Sequence, residues 1–220
     1  MRTHHYRFGV VLLLILISLA FGLAAPTGDG ARLVTVALQG MTLVAAVMAS
    51  GAHRFIERLA IGVAIGLFVA AVGAVIGTDK VGSDSARLIG LVLVALAPPA
   101  IVYGIVKEYR ERGAMTLHTM FGGLCLYLLL GIFFANSLEA VQSLSGVAML
   151  TPDSDVTSNF LYFSFVSLTT TGFGDVVAAT NLGRSFSITE ALVGQIYLVT
   201  VVALIVSNLR PRTPPGPSRA

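Results

Sequence analysis

Long apolar runs dominate this sequence and decide which folds it can adopt, and the first five have no charge in their interiors. Each run can cross about 30 Å of hydrocarbon as a helix. The chain is 55% hydrophobic and 11% charged, whereas a soluble domain carries about 25% charged residues. None of the runs alternates with period two over ten residues, which argues against a barrel. We therefore predict an all-α polytopic membrane protein with six transmembrane helices, at Phe8–Ala25, Leu33–Ser50, Leu59–Gly77, Ala86–Val106, Met115–Ala135 and Phe186–Leu209.

The positions of the Lys and Arg residues predict the orientation of these spans. Ten basic residues fall at one set of span ends and four at the other, and the richer side is normally cytoplasmic. This count predicts six spans with both termini in the cytoplasm. The first set is Arg2, Arg7, Arg54, Arg58, Lys107, Arg110, Arg112, Arg210, Arg212 and Arg219, and the second is Arg32, Lys80, Arg87 and Arg184.

The first apolar run has two interpretations. Arg2 and Arg7, the apolar run and then Gly22-Leu23-Ala24-Ala25 resemble a secretory signal peptide, but the run is longer than the usual apolar region of about 7–15 residues. We favour a retained span over a signal peptide cleaved near Ala25. Both interpretations give the downstream spans the same orientation, so topology does not decide between them.

Composition argues against several other classes of protein. The single Cys125 lies in an apolar run, and the four histidines are scattered near the ends of segments, so we expect no disulfide framework, metal site or cofactor. The net charge of +3 is explained by the topology and does not predict binding to nucleic acid. A membrane-embedded enzyme is disfavoured because no His, Cys and Asp cluster lies at one depth.

The loop between the fifth and sixth predicted spans, Asn136–Ser185, contains a short apolar and aromatic segment at Asn159–Thr169. Its length of about eleven residues is too short to span and suits a re-entrant half-helix. Asp155, Thr157 or Ser158 are candidate caps for its start. The negative end of its dipole would then favour a cation at its C-terminus.

The half-helix leads into Thr169-Thr170-Thr171-Gly172-Phe173-Gly174-Asp175, which suits neither a helix nor a strand. Non-helical backbone at membrane depth is tolerated only where it lines a cavity or path. Gly172 and Gly174 can adopt positive φ at little cost, so successive carbonyls can turn toward one axis. Rings of carbonyl oxygens replace the hydration shell of potassium, and the Thr170 hydroxyl offers a further ring.

This string resembles the selectivity filter of the tetrameric potassium-channel superfamily, whose usual signature is Thr-Val-Gly-Tyr-Gly-Asp. Thr170, Gly172, Gly174 and Asp175 match that signature. Thr171 stands in place of Val, and a Phe such as Phe173 is familiar there in two-pore-domain channels. The resemblance implies ion binding by Thr170, Thr171, Gly172, Phe173 and Gly174, with Asp175 at the outer mouth.

The segments that flank the string extend the resemblance to about Gly113–Leu209. It implies that Tyr162 and Phe163 form an aromatic cuff and, with Thr169, support the pore helix. Val166 falls where some members place a Glu that pairs with the Asp after the filter, so Asp175 is expected to lack that partner. Gly194 falls where many members carry a hinge glycine; a close helix contact is the alternative.

Glu190 is an acid inside the predicted sixth span. Acids inside a membrane are costly and are usually functional or paired. We favour a buried brace to the pore helix over a charge that faces the cavity and concentrates cations.

The first four predicted spans lack a voltage sensor. The fourth carries only Arg87, at its outer edge, whereas a sensor needs several basic residues. Pro98-Pro99 should kink or end a helical stretch. We divide the chain into a four-span domain at 1–112, a pore domain at 113–209 and a disordered, Pro-rich cytoplasmic tail at 210–220.

These observations predict a passive potassium-selective channel subunit of the cell membrane. Four copies would form the pore, permeating potassium would be the only bound ion, and voltage gating is not expected. A nonselective or sodium-permeable channel of the same fold remains an alternative. A secondary transporter is less favoured, because we find neither repeated halves nor polar residues near mid-membrane on several helices.

Overall fold

Eight α-helices and one short β-ribbon form the part of the chain that a computed structural model describes, which is residues 7–24, 28–51, 54–76, 80–112, 117–152 and 157–207. The helices are α1 (Arg7–Ala24), α2 (Asp29–Ser50), α3 (Arg54–Ile76), α4 (Lys80–Arg112), α5 (Leu117–Ser145), α6 (Thr157–Leu168), α7 (Asn181–Tyr197) and α8 (Ala203–Ser207). A π-helical segment, Leu198–Val202, joins α7 to α8. The predicted tail, the candidate cap Asp155 and the cleavage position Ala25 lie outside the described residues.

Five helices in the described part are long and apolar enough to cross a membrane. The apolar part of the first, Phe8–Ala24, is shorter and measures about 26 Å at 1.5 Å per residue. The helical character predicted from the sequence is therefore confirmed, whereas the total of six spans stays a prediction. The five are Gly30–Ser50, Phe55–Gly73, Arg87–Arg110, Thr119–Ser145 and Asn181–Val202.

The first four helices form a bundle in which α2 contacts α1, α3 and α4. Its core is aliphatic, with Val11, Ile15, Leu43, Leu93 and Ile101 buried. Both α1 and α4 also pack on α5, so this bundle lies directly against the C-terminal part of the chain. Helix α3 lies at the periphery and leaves most of its apolar side chains exposed.

Helix α4 continues through Pro98 and Pro99 to Arg112, so the prolines do not end it. Each proline removes one N–H from the helix ladder. Ala97 and Ile101 on either side of the pair are buried, and packing on α2 and α5 supports the helix across this point.

Helix α5 ends at Ser145, ten residues beyond the predicted end at Ala135. Its 29 residues measure about 43 Å, so it extends past a bilayer's hydrocarbon. Asn136, Glu139 and Gln142 lie near one another on its surface at three-residue spacing, and all three are buried. The polar residues that suggested a loop therefore belong to a helical face covered by protein.

A short helix and a small ribbon occupy the region between α5 and α7. Helix α6 has 12 residues, too few to span, and packs on α5, α7 and α1. Strand β1 (Leu150–Thr151) pairs antiparallel with β2 (Val177–Ala178). The ribbon departs from a purely helical fold and connects the segment before α6 to the segment after the glycine-containing string.

Helix α7 begins at Asn181, five residues before the predicted start at Phe186. The Thr180 side chain caps it by accepting a hydrogen bond of 3.0 Å from the Gly183 amide. A threonine at this position satisfies an amide that the first helical turn leaves without a partner. The cap fixes where the chain enters the last long helix.

Candidate functional site

Helix α6 is anchored by one well-buried face. Phe160, Leu161, Phe163, Ser164 and Leu168 are buried, and their spacing matches a helical stripe. A Cβ built at Gly22 of α1 would lie 2.6 Å from Leu161 Cδ1. The helix is therefore held between α1, α5 and α7, and its C-terminal end leads directly into the predicted filter string.

The backbone of the string changes hand at alternate residues. Thr170, Gly172 and Gly174 have φ values of 55°, 61° and 82°, as the sequence predicted for the two glycines. A left-handed conformation costs a non-glycine residue about 1–2 kcal/mol, so Thr170 is held there by its surroundings. The Thr171 amide donates to the Val166 carbonyl at 2.9 Å, and this bond helps to hold the turn.

Two threonine hydroxyls turn back toward the end of α6. Thr169 Oγ1 donates to the Phe165 carbonyl at 2.7 Å. It also lies 2.8 Å from Thr171 Oγ1. Because the Thr169 hydroxyl hydrogen is already used, Thr171 is the donor in this second bond. The Thr171 side chain is therefore bonded within the string, which leaves its backbone carbonyl as the oxygen available to an ion.

Tyr162 supplies the partner that Asp175 was expected to lack. Its hydroxyl lies 2.9 and 2.8 Å from the two Asp175 carboxylate oxygens. Its ring stacks on Phe173, with centroids 6.3 Å apart and planes 9° apart. The hydrogen bond to Asp175 raises the pKa of the Tyr162 phenol, so the phenol keeps its donor hydrogen to a higher pH than an unperturbed tyrosine.

Glu190 lies deep between three helices and is 2% exposed. Ser164 Oγ donates to the Gly131 carbonyl at 2.6 Å and also forms a hydrogen bond with Glu190 Oε1. This cluster joins α5, α6 and α7. Assembly can only remove exposed surface, so in this conformation Glu190 does not face a central cavity. The arrangement favours the brace over the cavity-facing charge.

Gly194 lies where α7 crosses the end of α6. A Cβ at this position would be 2.5 Å from the Leu168 carbonyl oxygen and 2.8 Å from Leu168 Cδ1. The helix continues unbroken to Tyr197, whose hydroxyl donates to the Gly123 carbonyl at 2.6 Å. Close packing therefore accounts for Gly194, and the irregular part of this helix is the π segment that follows.

The β-ribbon beside the site is tied to α5 by residues that the sequence did not single out. Gln142 Oε1 accepts from the Met149 amide at 2.8 Å. The Met149 carbonyl accepts from the Ala179 amide at 2.9 Å. The sequence signal that could have identified Gln142 is its position. It is a polar residue that continues the helical spacing beyond the end of the predicted span. The two bonds join residues that are seven and thirty positions apart in the sequence. Pairing over such distances cannot be predicted from residue spacing alone.

An open groove of about 610 Å³ runs between α6, the string and α7. Val166, Thr170, Gly172, Arg184 and Ile188 are among the residues that line it. In the single chain the whole string from Thr169 to Asp175 is exposed, and Phe173 is 69% exposed. The surface that bears the string is thus left uncovered by this chain.

No cluster of three or more His, Cys, Asp and Glu residues that would hold a metal occurs among the described residues. Cys125 is buried and free.

Residues 123–210 match a protein-family model described as an ion channel. The matched segment contains α6, the string and all of α7. No curated protein matches the chain significantly. The family match supports an ion channel, and together with the apolar helices it supports a multi-pass helical membrane protein. It points to transport rather than to catalysis.

Proposed function

We propose that this protein is a subunit of a passive potassium-selective channel, with four copies around one pore. The observation that carries the proposal is the alternation of left-handed residues at Thr170, Gly172 and Gly174. Alternating the hand of the backbone lets successive carbonyls face one side. Such rings of oxygen replace the hydration shell of potassium.

The exposed string supports assembly from several copies. One loop of this length cannot surround an ion, and closed rotational symmetry completes a ring from identical parts. Only 11% of the Asn181–Val202 span is buried within the chain, against 50% for Thr119–Ser145. The exposed side chains of Phe173, Ile188 and Ile196 are apolar and suit coverage by a neighbouring copy.

A nonselective or sodium-permeable channel of the same fold is the second candidate. The observation in its favour is Phe173, which has no hydroxyl with which to brace the string from behind. The stack of Phe173 on Tyr162 and the bond from Tyr162 to Asp175 offer an alternative brace. This brace is the reason to prefer potassium selectivity.

The proposal includes location and gating. The distribution of basic residues supports a place in the cell membrane with both termini in the cytoplasm. No array of basic residues occurs along Ala86–Val106, so this region supplies no voltage sensor. The exposed face of the sixth span and the π segment that follows Tyr197 would line the inner cavity.

Ion flux into vesicles that contain the purified protein tests the proposal. Wild-type protein should admit potassium, and Gly172→Ala should lower the flux at least tenfold, because φ at this residue is +61° and alanine is strained there. Gly66→Ala is the matched control, since a Cβ at Gly66 meets nothing within 4 Å. Equal flux through wild type and Gly172→Ala would reject the filter assignment.

A further inference from the structure

We propose that Arg87 of the N-terminal bundle is a positioning residue for the pore helix α6, acting through Glu139 and Thr157. The proposal rests on the proposed channel function and gives the first four helices a part in it. Arg87 was predicted to lie at the outer edge of the fourth span, Ala86–Val106, as one charge in a topology count. Its place in the structure assigns it a second role.

The three residues meet at one buried carboxylate oxygen. Arg87 Nε lies 3.2 Å from Glu139 Oε1, and their side chains are 11% and 7% exposed. The contact is an ion pair rather than a well-aligned hydrogen bond. Thr157 Oγ1 donates to the same Glu139 oxygen at 3.0 Å. One carboxylate thus joins α4, α5 and the first residue of α6.

The charges at this junction are complementary. A helix N-terminus carries a partial positive charge that favours a nearby anion, so the Glu139 carboxylate stabilises the start of α6. A buried carboxylate is costly unless it is paired, and Arg87 supplies that charge. Without Arg87 the carboxylate would turn toward water and release the Thr157 hydroxyl.

The start of α6 controls where its other end lies. The helix is 12 residues long, or about 18 Å, and the filter string begins at the residue after its last turn. A shift at Thr157 therefore reaches Thr169 through a rigid element. The bundle also contacts the side of this helix, where Gly22 lies against Leu161, so the bundle holds α6 at two points.

The experiment measures the half-sustaining concentration in single-channel or macroscopic recordings. This is the external potassium concentration at which conduction is half of its maximal value. We expect Arg87→Gln to raise this concentration at least threefold, since a displaced string binds potassium less well. Arg87→Lys keeps the charge, so its half-sustaining concentration should stay close to the wild-type value. Arg110→Gln is the control, because Arg110 is an exposed arginine of the same helix and should change nothing.

This readout separates positioning from folding. A purely structural role would lower the number of channels without moving the half-sustaining concentration, and that result would overturn the proposal. Should Arg87→Gln fail to assemble, Thr157→Val removes only the hydroxyl and decides the question. A threefold or larger rise for Thr157→Val supports the proposal, and an unchanged value overturns it.

A measurement that needs no conduction keeps this inference distinct from the proposed function. Amide hydrogen exchange of residues 157–168 should be at least fivefold faster in Arg87→Gln than in wild type. If wild type passes no potassium but this exchange difference is found, the channel proposal fails and the positioning role stands. Equal exchange rates in a conducting protein would overturn the positioning role alone.

Discussion

The glycines of the peripheral helix α3 and those of α7 have different structural roles. Gly62 and Gly66 of α3 face open space, and a Cβ placed at either would meet nothing within 4 Å. Gly183 and Gly194 instead lie against backbone oxygens, with a Cβ at 3.0 Å from Met149 O and 2.5 Å from Leu168 O, respectively. The same residue type is thus replaceable in α3 and required in α7.

Polar side chains differ between the two regions in a similar way. In the pore region Tyr162, Ser164 and Gln142 bond the groups that hold the string, α6 and the outer ribbon. Polar bonds in the bundle include Thr42 to its own helix, at the Leu38 carbonyl. The bundle also has specific polar contacts, such as the bond of 2.7 Å from Lys107 Nζ to the Gly51 carbonyl, but its interior is mainly apolar.

Substitution of Gly194 should lower potassium flux more than any other change in this comparison. Gly194→Ala places a Cβ against the Leu168 carbonyl, and overpacking of this kind costs about 1–3 kcal/mol. We expect potassium flux to fall at least tenfold, while Gly66→Ala retains wild-type flux. Vesicle flux on matched amounts of assembled protein measures both. Equal losses of flux from Gly194→Ala and Gly66→Ala would contradict the different roles assigned to the glycines of α7 and α3.

Substitution at the Ser164–Glu190 cluster should reduce assembly stability. Ser164→Ala leaves buried oxygens without their partner, at a cost of about 1–3 kcal/mol. We expect a lower midpoint for thermal dissociation of the assembly. Glu190→Gln carries no charge and keeps both a donor and an acceptor beside Ser164, so unit conductance should stay unchanged. A clear fall in conductance with unaltered stability would instead indicate a charge that acts on permeating ions.

Loss of the Tyr162 hydroxyl should give a smaller effect that is confined to the string. Tyr162→Phe removes the bonds to Asp175 and keeps the ring stacked on Phe173. We expect conduction to decline about three- to tenfold faster during sustained activity, since a bond to a charged group contributes about 1.5–3 kcal/mol and only part of it stabilises the conducting state. Tyr103→Phe, at an exposed position of α4, is the control. An unchanged decline would mean that the bond does not brace the string.

The sequence allowed the helical membrane fold, the short helix α6 and the positive φ of both string glycines to be predicted. These features follow from apolar length and from glycine's freedom, which are local properties. The extension of α5 to Ser145 was missed because Asn136, Glu139 and Gln142 are buried by helices distant in sequence. The bond from Tyr162 to Asp175 was missed for the same reason, since it depends on how the string folds back beside α6.

Voltage should have the smallest effect of all. Arg87 is the basic residue within Ala86–Val106 of the bundle. It forms an ion pair with Glu139. Moving several charges through the field is what makes opening steeply voltage dependent. Open probability should therefore vary little across the physiological range of voltages in planar-bilayer recordings. Steep activation would show that a sensor lies in the bundle after all.

The reversal potential with potassium on one side of the membrane and sodium on the other tests the central claim most directly. A potassium-selective string predicts a reversal potential far toward the potassium equilibrium value, with a shift of about 59 mV for each tenfold change in potassium. Sodium changes at constant potassium should leave it nearly unmoved. A reversal potential near zero with both cations at equal concentration would contradict potassium selectivity.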